Sequence, residues 1–318
     1  MSRVLVTGAS GFIGRALLPA LASAGHEVWA LGRQPPPADL ATLARWHRAD
    51  MAAATPAAAL DRVEVVVHLA GLAHTSAPDT AATVERFRTA NVSASVRLAE
   101  CAAAYDVRRL VFLSSAAVHG PTSGADPFHE DSPVAPVGPY ARSKAEAEAA
   151  LTGATRRLGM ELCILRPPLV YGPGVKGNLR KLLRWAASGV PFPAPATANR
   201  RNLIGLSNLC DVLIAATTHE KAANETFLLA DDDGTATADL FRRLAEALGR
   251  RPRLLTLPRN LLATSFRALH LVGDYGRLYG DFRIDATKVR QHLGWCPQVA
   301  METEIARTAA RFLAEHAV

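Results

Sequence analysis

Apolar positions follow two rhythms along this chain. Short, nearly unbroken runs such as Val4-Leu5-Val6, Val28-Trp29-Ala30-Leu31, Val65-Val66-Val67 and Leu110-Val111-Phe112-Leu113 have the length and β-branching of strands buried on both faces. Between them lie longer Ala/Leu-rich stretches whose apolar positions recur every three or four residues, as on a helix. This pattern predicts strands over Ser2–Thr7 and His26–Leu31, one ending near Arg48-Ala49-Asp50, and others from Val63 towards Gly71, over Arg108–Leu113 and just before Arg166. Helices are expected from about Arg15 to Ala24, from Thr83 to Tyr105 and from Pro139 to about Arg157. Strands alternating with helices imply an α/β domain with a doubly wound parallel sheet.

The alternation lapses after Arg166. A Pro/Gly-rich loop runs to Gly177, and Asn178 opens a basic helix with Arg180, Lys181 and Arg184. Further helices are expected over Asn208–His219 and Leu240–Leu248, with a strand over Thr226–Ala230 between them. Pro258 to Val272, with Arg259, Arg267 and His270, reads as a helix covering the core rather than one lying on a membrane. The expected division is therefore a first domain over 1–165 and a smaller C-terminal lobe over 166–318, some segments of which return to the first sheet.

Composition narrows the class. At 318 residues, 49% hydrophobic and 20% charged, the chain can bury a full core. No apolar run reaches the roughly 18 residues of a membrane span, and the chain opens directly on a strand, so integral membrane association and secretion are not expected. Cys101, Cys163, Cys210 and Cys296 have neither disulfide-framework nor zinc-site spacing, which suits a reduced, cytoplasmic protein without a bound metal. The formal charge of +7 is spread along the chain with few aromatics, which fits anionic metabolites better than nucleic acid.

The chemistry begins at Gly8-Ala9-Ser10-Gly11-Phe12-Ile13-Gly14, placed between a strand and a helix as a dinucleotide fingerprint requires. Gly8 permits the turn, Gly11 lets backbone approach a pyrophosphate, and Gly14 leaves room for helix to pack on sheet. Phe12 and Ile13 belong to the same cradle, and so does the small-residue loop Leu69-Ala70-Gly71 at the end of another strand. The second strand ends in Gly32-Arg33 with no carboxylate, which favours NADP(H), with NAD(H) as the alternative, unless Arg33 merely faces solvent. Asp50 either accepts from the adenine amino group or caps the next turn.

Tyr140 and Lys144 are four apart, so they share one helix face, and an ammonium near a phenol lowers a pKa that starts at about 10. Ser115, at the end of the strand over 108–113, can bond the same substrate oxygen. His68 reads as a structural residue within its strand.

These segments, with Ser114 to Gly120 and Arg166-Pro167-Pro168-Leu169-Val170-Tyr171-Gly172-Pro173-Gly174, resemble the extended short-chain dehydrogenases/reductases, in the branch of sugar-nucleotide epimerases, dehydratases and reductases. The resemblance spans nearly the whole chain and implies a Rossmann sheet with a substrate lobe. It also implies Ser115, Tyr140 and Lys144 as catalytic residues, with Lys144 bonding the nicotinamide ribose, and Asn91 as an architectural asparagine. Arg201, in Arg200-Arg201-Asn202-Leu203-Ile204, matches the arginine for a nucleotide diphosphate, although two successive arginines also suit a solvated loop; Asn178 and Arg283 are further substrate candidates. The family's dehydratases carry Asp-Glu where this chain has Ala116-Ala117, which disfavours dehydration, and its frequent tyrosine before Gly120 is His119. The expected activity is NADP(H)-dependent reduction of a 4-keto sugar nucleotide. The alternative is an NAD-dependent 4-epimerase, and a non-catalytic redox-sensing binding protein is disfavoured because the Tyr/Lys pair is present. A homodimer through the helices at 83–105 and 140–157 is expected from the same resemblance.

Overall fold

A computed structural model describes residues 2–51, 57–73, 79–196, 198–232, 234–268 and 272–316. Seven strands form the central sheet: β1 Arg3–Thr7, β2 Glu27–Gly32, β3 Arg45–Arg48, β4 Val65–His68, β5 Arg109–Leu113, β6 Glu161–Arg166 and, after three short strands outside it, β10 Thr226–Leu228. Their order is β10-β6-β5-β4-β1-β2-β3, and every pairing is parallel. The three outside strands, β7 Leu169–Tyr171, β8 Phe192–Pro195 and β9 Leu203–Gly205, form small parallel pairs, β7 with β9 and β8 with β11 Leu254–Leu257.

Alternation along the strands explains the layering. Val4, Val6, Val65, Val67, Val111 and Leu165 face the helices α1 Phe12–Ser23 and α6 Leu206–Thr218, together with Leu17, Leu21, Leu209 and Leu213. Leu5, Val66, Leu110, Phe112 and Ile164 face the opposite side, against Leu98 of α3 Ala94–Ala103 and Leu151 of α4 Pro139–Leu158. The sheet is thus covered on both sides, which is why its strands read as unbroken apolar runs.

Helices α5 Gly177–Ser188, α7 Thr237–Ala247, α8 Arg259–Ala268, α9 Val272–Tyr279 and α11 Met301–Ala314 build the lobe at the carboxyl ends of the strands, whereas α10 Thr287–Leu293 packs back on the sheet beside β10 through Val289 and Leu293. Phe192, Phe241, Tyr279, Leu183 and Phe312 share a separate core in the lobe, with Phe192 stacked on Phe241 at 4.7 Å. Between the lobes, Asp231 accepts from Tyr171 Oη at 2.8 Å, from the Gly205 N–H at 2.7 Å and from Asn208 Nδ2 at 2.9 Å.

Several boundaries differ from those expected. The helix α1 begins at Phe12, not near Arg15, because the chain turns helical directly after Gly11. The stretch 83–105 is not one helix: α2 Ala81–Arg88 and α3 are separated by a turn of π-helix, Thr89–Ser93, centred on Asn91. The widened turn lets the buried Asn91 side chain leave the helix register and bond a neighbouring loop. The apolar stretch 258–272 contains α8 and the start of α9 rather than a single helix, and His270 lies outside the described residues. None of the described helices is long and apolar enough to cross a membrane.

Arg109 is 1% exposed, an unusual position for a guanidinium. Its Nε donates to Glu161 at 2.6 Å and its Nη1 to the carbonyls of Ala216 and His219, both at 2.8 Å. It therefore closes the carboxyl end of α6 from within the sheet, where the helix dipole favours a cation. Removing a partner from such a buried set costs about 3–5 kcal/mol. Arg109→Ala should lower the urea midpoint accordingly, whereas Arg108→Ala, half-exposed on the same Glu161, should cost well under half as much.

Candidate active site

The glycine turn is shaped by contacts that exclude a side chain. Gly8 has φ +69°, and a Cβ there would lie 2.7 Å from the Ala70 amide nitrogen. A Cβ on Gly14 would lie 2.5 Å from the Gly8 carbonyl oxygen and 2.6 Å from that of Ala9. The Gly11 N–H donates to the Gly8 carbonyl at 2.9 Å, and Gly11 opens α1, so Phe12 and Ile13 begin that helix. The turn thus lies against Leu69-Ala70-Gly71 beyond β4. A Cβ on Gly71 would in turn meet Asn91 Oδ1 at 3.0 Å and Lys144 Nζ at 3.7 Å. The two loops form one cradle at the carboxyl ends of β1 and β4, with helix-start N–H groups able to meet a pyrophosphate.

A line of buried hydrogen bonds fixes this cradle, and its directions can be assigned. Ser95 Oγ donates to the Asn91 carbonyl at 2.6 Å, so the same hydroxyl accepts from His68 Nε2 at 2.7 Å. His68 Nδ1 then accepts from Thr7 Oγ1 at 2.6 Å, which requires a neutral ring. Burial, helped by nearby Lys144, pushes this imidazole down to about 3. Asn91 in turn accepts from the Leu72 N–H at 2.6 Å and donates to the Leu72 carbonyl at 2.9 Å and to Ser143 Oγ at 2.8 Å. Ser143 donates to the Tyr140 carbonyl at 2.8 Å. His68 is thus structural, and Asn91 joins the cradle to α4.

Ser115, Tyr140 and Lys144 meet at the end of β5. Ser115 opens a short turn, Ala116–His119, and its Oγ accepts from the Ala117 N–H at 3.2 Å. Tyr140, in the first turn of α4, packs edge-on against Phe87. Lys144 is 5% exposed; its Nζ donates to the Leu113 carbonyl at 2.7 Å and lies 4.5 Å from the Phe112 ring centroid. Burial pulls this ammonium down to about 8, against an upward push from Glu148. The phenol does not shift as expected: burial raises the Tyr140 pKa, opposed by a hydrogen bond with Ser115. Desolvation of the phenolate outweighs the Ser115 hydrogen bond. The hydroxyl of Ser114 is buried without a hydrogen-bond partner among the described residues.

Charged neighbours of this set were not legible as site residues. Glu148, one turn beyond Lys144, lies in an Ala/Glu run that reads as a solvated face, yet it is 6% exposed and paired with Arg166 of β6 at 2.6 Å. The available signal was its four-residue spacing from Lys144 on the same helix face.

The outlying candidates fall in two places. Arg33 follows β2 as an exposed residue, and its carbonyl accepts from Arg48 Nε at 3.2 Å, so a second guanidinium stands at the strand end near Asp50. In the lobe, Arg201 donates from Nη1 to the Gly280 carbonyl at 2.8 Å and lies 5.3 Å from the Phe282 ring centroid. Burial draws this guanidinium down to about 10, opposed by Asp281, so it lies where a further anion would be favourable. Arg283, next to Phe282, instead donates from Nη1 to the Ala125 carbonyl at 2.8 Å, and Asn178 is exposed in the first turn of α5. Among the described residues no group of three or more His, Cys, Asp or Glu could hold a metal.

Comparison with known proteins identifies the family. The NAD dependent epimerase/dehydratase family matches residues 4–230. A UDP-glucose 4-epimerase of Vibrio cholerae is 33% identical over 317 residues, covering 98% of this chain and 95% of that protein. One from Mycolicibacterium smegmatis is 30% identical, covering 98% of each. A solved structure of MoeE5 in complex with UDP-glucuronic acid and NAD superposes with a TM-score of 0.78 at 25% identity, covering 98% of this chain and 99% of that one.

A methyl group at position 14 would strike two backbone carbonyls that cannot retreat without moving the turn. Gly14→Ala should therefore lower the thermal midpoint and weaken dinucleotide binding together, as read by scanning calorimetry and by NADH fluorescence. Unchanged binding would remove the glycine turn from the cofactor site.

Proposed function

The chain belongs to the NAD-dependent epimerase/dehydratase family, and from that premise we propose that it is a UDP-sugar 4-epimerase that keeps its nicotinamide cofactor through the cycle. The observation carrying this reading is the meeting of Ser115, Tyr140 and Lys144 beside the glycine cradle in a chain whose UDP-glucose 4-epimerase relatives align over nearly their whole length. Epimerisation is favoured over net reduction of a 4-keto sugar nucleotide. It also changes the cofactor expectation from NADP(H) to NAD(H). Arg33 is exposed at the end of β2 and then supplies only surface charge.

The residues present fit the cofactor. Gly8 and Gly14 let the turn, the start of α1 and Leu69-Ala70-Gly71 close up at the strand ends, where helix-start N–H groups face outward, and Ser114 beside them carries a buried hydroxyl with no partner among the described residues. Gly8, Gly11, Phe12, Ile13 and Gly14 would hold the pyrophosphate, Leu69-Ala70-Gly71 would line its nicotinamide side, and Lys144 and Tyr140 would bond the adjacent ribose. Bound there, the cofactor would take a hydride from carbon 4 of the sugar and return it to the opposite face.

The protein's own part is proton transfer and positioning. Tyr140 takes the proton of the 4-hydroxyl and later returns it, while Ser115 holds the same oxygen. To accept that proton Tyr140 must first be the phenolate; burial favours the neutral phenol, the hydrogen bond with Ser115 opposes it, and the Lys144 ammonium one turn away supplies positive charge that favours the phenolate before the proton is transferred. Ala116 and Ala117 carry no acid or base, so water elimination has no agent at that position. Arg201 pairs with the nucleotide diphosphate, with Asn178 and Arg283 at the margins of the lobe site. The same reading includes a homodimer joined across the outer faces of α2–α3 and α4.

Incubated with UDP-glucose and no added cofactor, the purified protein should form the C4 epimer, and denaturation should release NAD(H). Turnover that consumes stoichiometric NADPH would replace this reading with the reductase. Tyr140→Phe should lower kcat by ~100- to 10,000-fold while retaining bound cofactor.

Loss of a charge-assisted contact costs about 1.5–3 kcal/mol. Arg201→Ala should therefore raise KM for the nucleotide sugar roughly 10- to 150-fold, with the released cofactor content unchanged. Equal loss of both ligands would remove Arg201 from the substrate site.

A further inference from the structure

One buried polar cluster beside the reacting groups is not used by the chemistry above. His119 ends the short turn opened by Ser115 and is 4% exposed. Arg166 lies beneath it, with Nε donating to Glu148 Oε1 at 3.0 Å and Nη2 to Glu148 Oε2 at 2.6 Å. Arg166 Nη1 reaches His119 Nε2 at 3.0 Å and the Glu130 carbonyl at 3.2 Å. A guanidinium only donates, so Nε2 must be the acceptor. The ring proton then lies on Nδ1 and is donated to the Pro133 carbonyl at 3.2 Å. Both nitrogens of a neutral imidazole are thereby committed, and their roles are fixed by partners that cannot reverse.

The cluster spans three pieces of chain. His119 closes the turn that presents Ser115. Arg166 is the last residue of β6, and Glu148 is one turn beyond Lys144 on α4. The face of the imidazole stacks on Phe128 at 5.2 Å, and Phe128 packs edge-on against Phe282 at 5.5 Å, the ring beneath Arg201.

We propose that His119 is a positioning residue: its two ring nitrogens tie the Ser115 turn to Arg166 and, through Glu148, to the helix that carries Tyr140 and Lys144. The inference rests on the catalytic reading of those three residues. A tyrosine at this position could donate through its hydroxyl but could not reproduce both bonds of the ring edge. Protonation would place an Nε2–H against the Arg166 guanidinium and break the tie. The charged groups facing the ring are Arg166 from β6 and Glu148 from α4, while the Glu130 carboxylate is engaged by the Leu228 N–H at 2.8 Å. Burial, the largest influence, holds the imidazole below its ordinary range. The tie is therefore complete above the usual histidine range and is lost as pH falls through the folded value.

Two variants separate the ring edge from the ring face. His119→Gln keeps one acceptor and one donor and does not titrate, whereas His119→Phe keeps the stack on Phe128 and loses both bonds. Measured as kcat and KM for UDP-glucose between pH 5 and 9, the Gln variant should stay within about threefold of wild type at pH 8 and lose part of the acid limb. The Phe variant should lose about tenfold or more in kcat at pH 8, with a smaller change in KM, and the gap to wild type should narrow as pH falls and the wild-type tie is lost. Wild-type kcat in the Phe variant, or an unaltered acid limb in the Gln variant, would overturn the proposal.

Amide hydrogen exchange over 115–120, corrected for intrinsic rates, gives a readout that needs no turnover. It should accelerate in wild type as pH falls from 8 to 5 and in the Phe variant at all pH, but not in the Gln variant. If wild type fails to epimerise while this exchange pattern holds, the epimerase reading fails and the positioning role stands. Epimerisation with identical exchange in all three proteins would remove the positioning role alone.

Discussion

Thr7 and Tyr140 are far apart in sequence, yet one unbroken line of buried hydrogen bonds runs between them through His68, Ser95, Asn91 and Ser143. Each bond has a fixed direction, because Ser95 spends its single proton on the Asn91 carbonyl and His68 is neutral. The line crosses from the strand that feeds the glycine turn to the helix that carries the phenol. A buried polar group is costly unless paired, so the members must all be in place or the set is destabilising. The π-turn at Asn91 follows from this requirement: the carbonyl released by the wider turn is taken up by Ser95, and the side chain is freed to hold Leu72.

Positive charge is placed in the interior with similar care. Arg109, Lys144 and Arg166 are nearly inaccessible, and each is met by main-chain carbonyls, with a carboxylate added for the two arginines. Lys144 has a carbonyl, an aromatic face and only the attraction of a Glu148 already paired with Arg166, and burial draws its ammonium down to about 8. Arg201 is likewise held by a carbonyl and a ring, and is drawn down to about 10. These two cations have the least internal compensation, and they are the two assigned to ligands. Electrostatic cost in the free protein is thus concentrated where a bound anion or a departing proton would offset it.

The turn after Ser115 differs from the dehydratase pattern at Ala116-Ala117 and carries His119 where a tyrosine is expected, with different consequences. Ala116 and Ala117 leave the turn after Ser115 without acid–base groups. His119 at the end of the same turn is absorbed into a structural cluster with Arg166 and Glu148.

The sequence alone determined the sheet and the order of its helices, and it singled out the groups proposed to react. Unbroken apolar runs leave little choice but buried parallel strands, glycine spacing after the first of them constrains the turn, and a four-residue interval puts Tyr140 and Lys144 on one face. It also left two activities open, because reduction and epimerisation use the same side chains. Tertiary structure alone decided how charge is compensated. The tautomers of His68 and His119 depend on partners brought from distant strands. Glu148 becomes a buried anion only because Arg166 arrives beneath it, and Arg201 gains its ring support from Phe282, 81 residues onward. The Tyr140 phenol moved opposite to expectation for the same reason: spacing along a helix brings a lysine near, but only packing decides how completely the phenol is shut off from water. Periodicity records which face is buried, whereas the energy of a buried charge depends on every group around it, and those come from the whole chain.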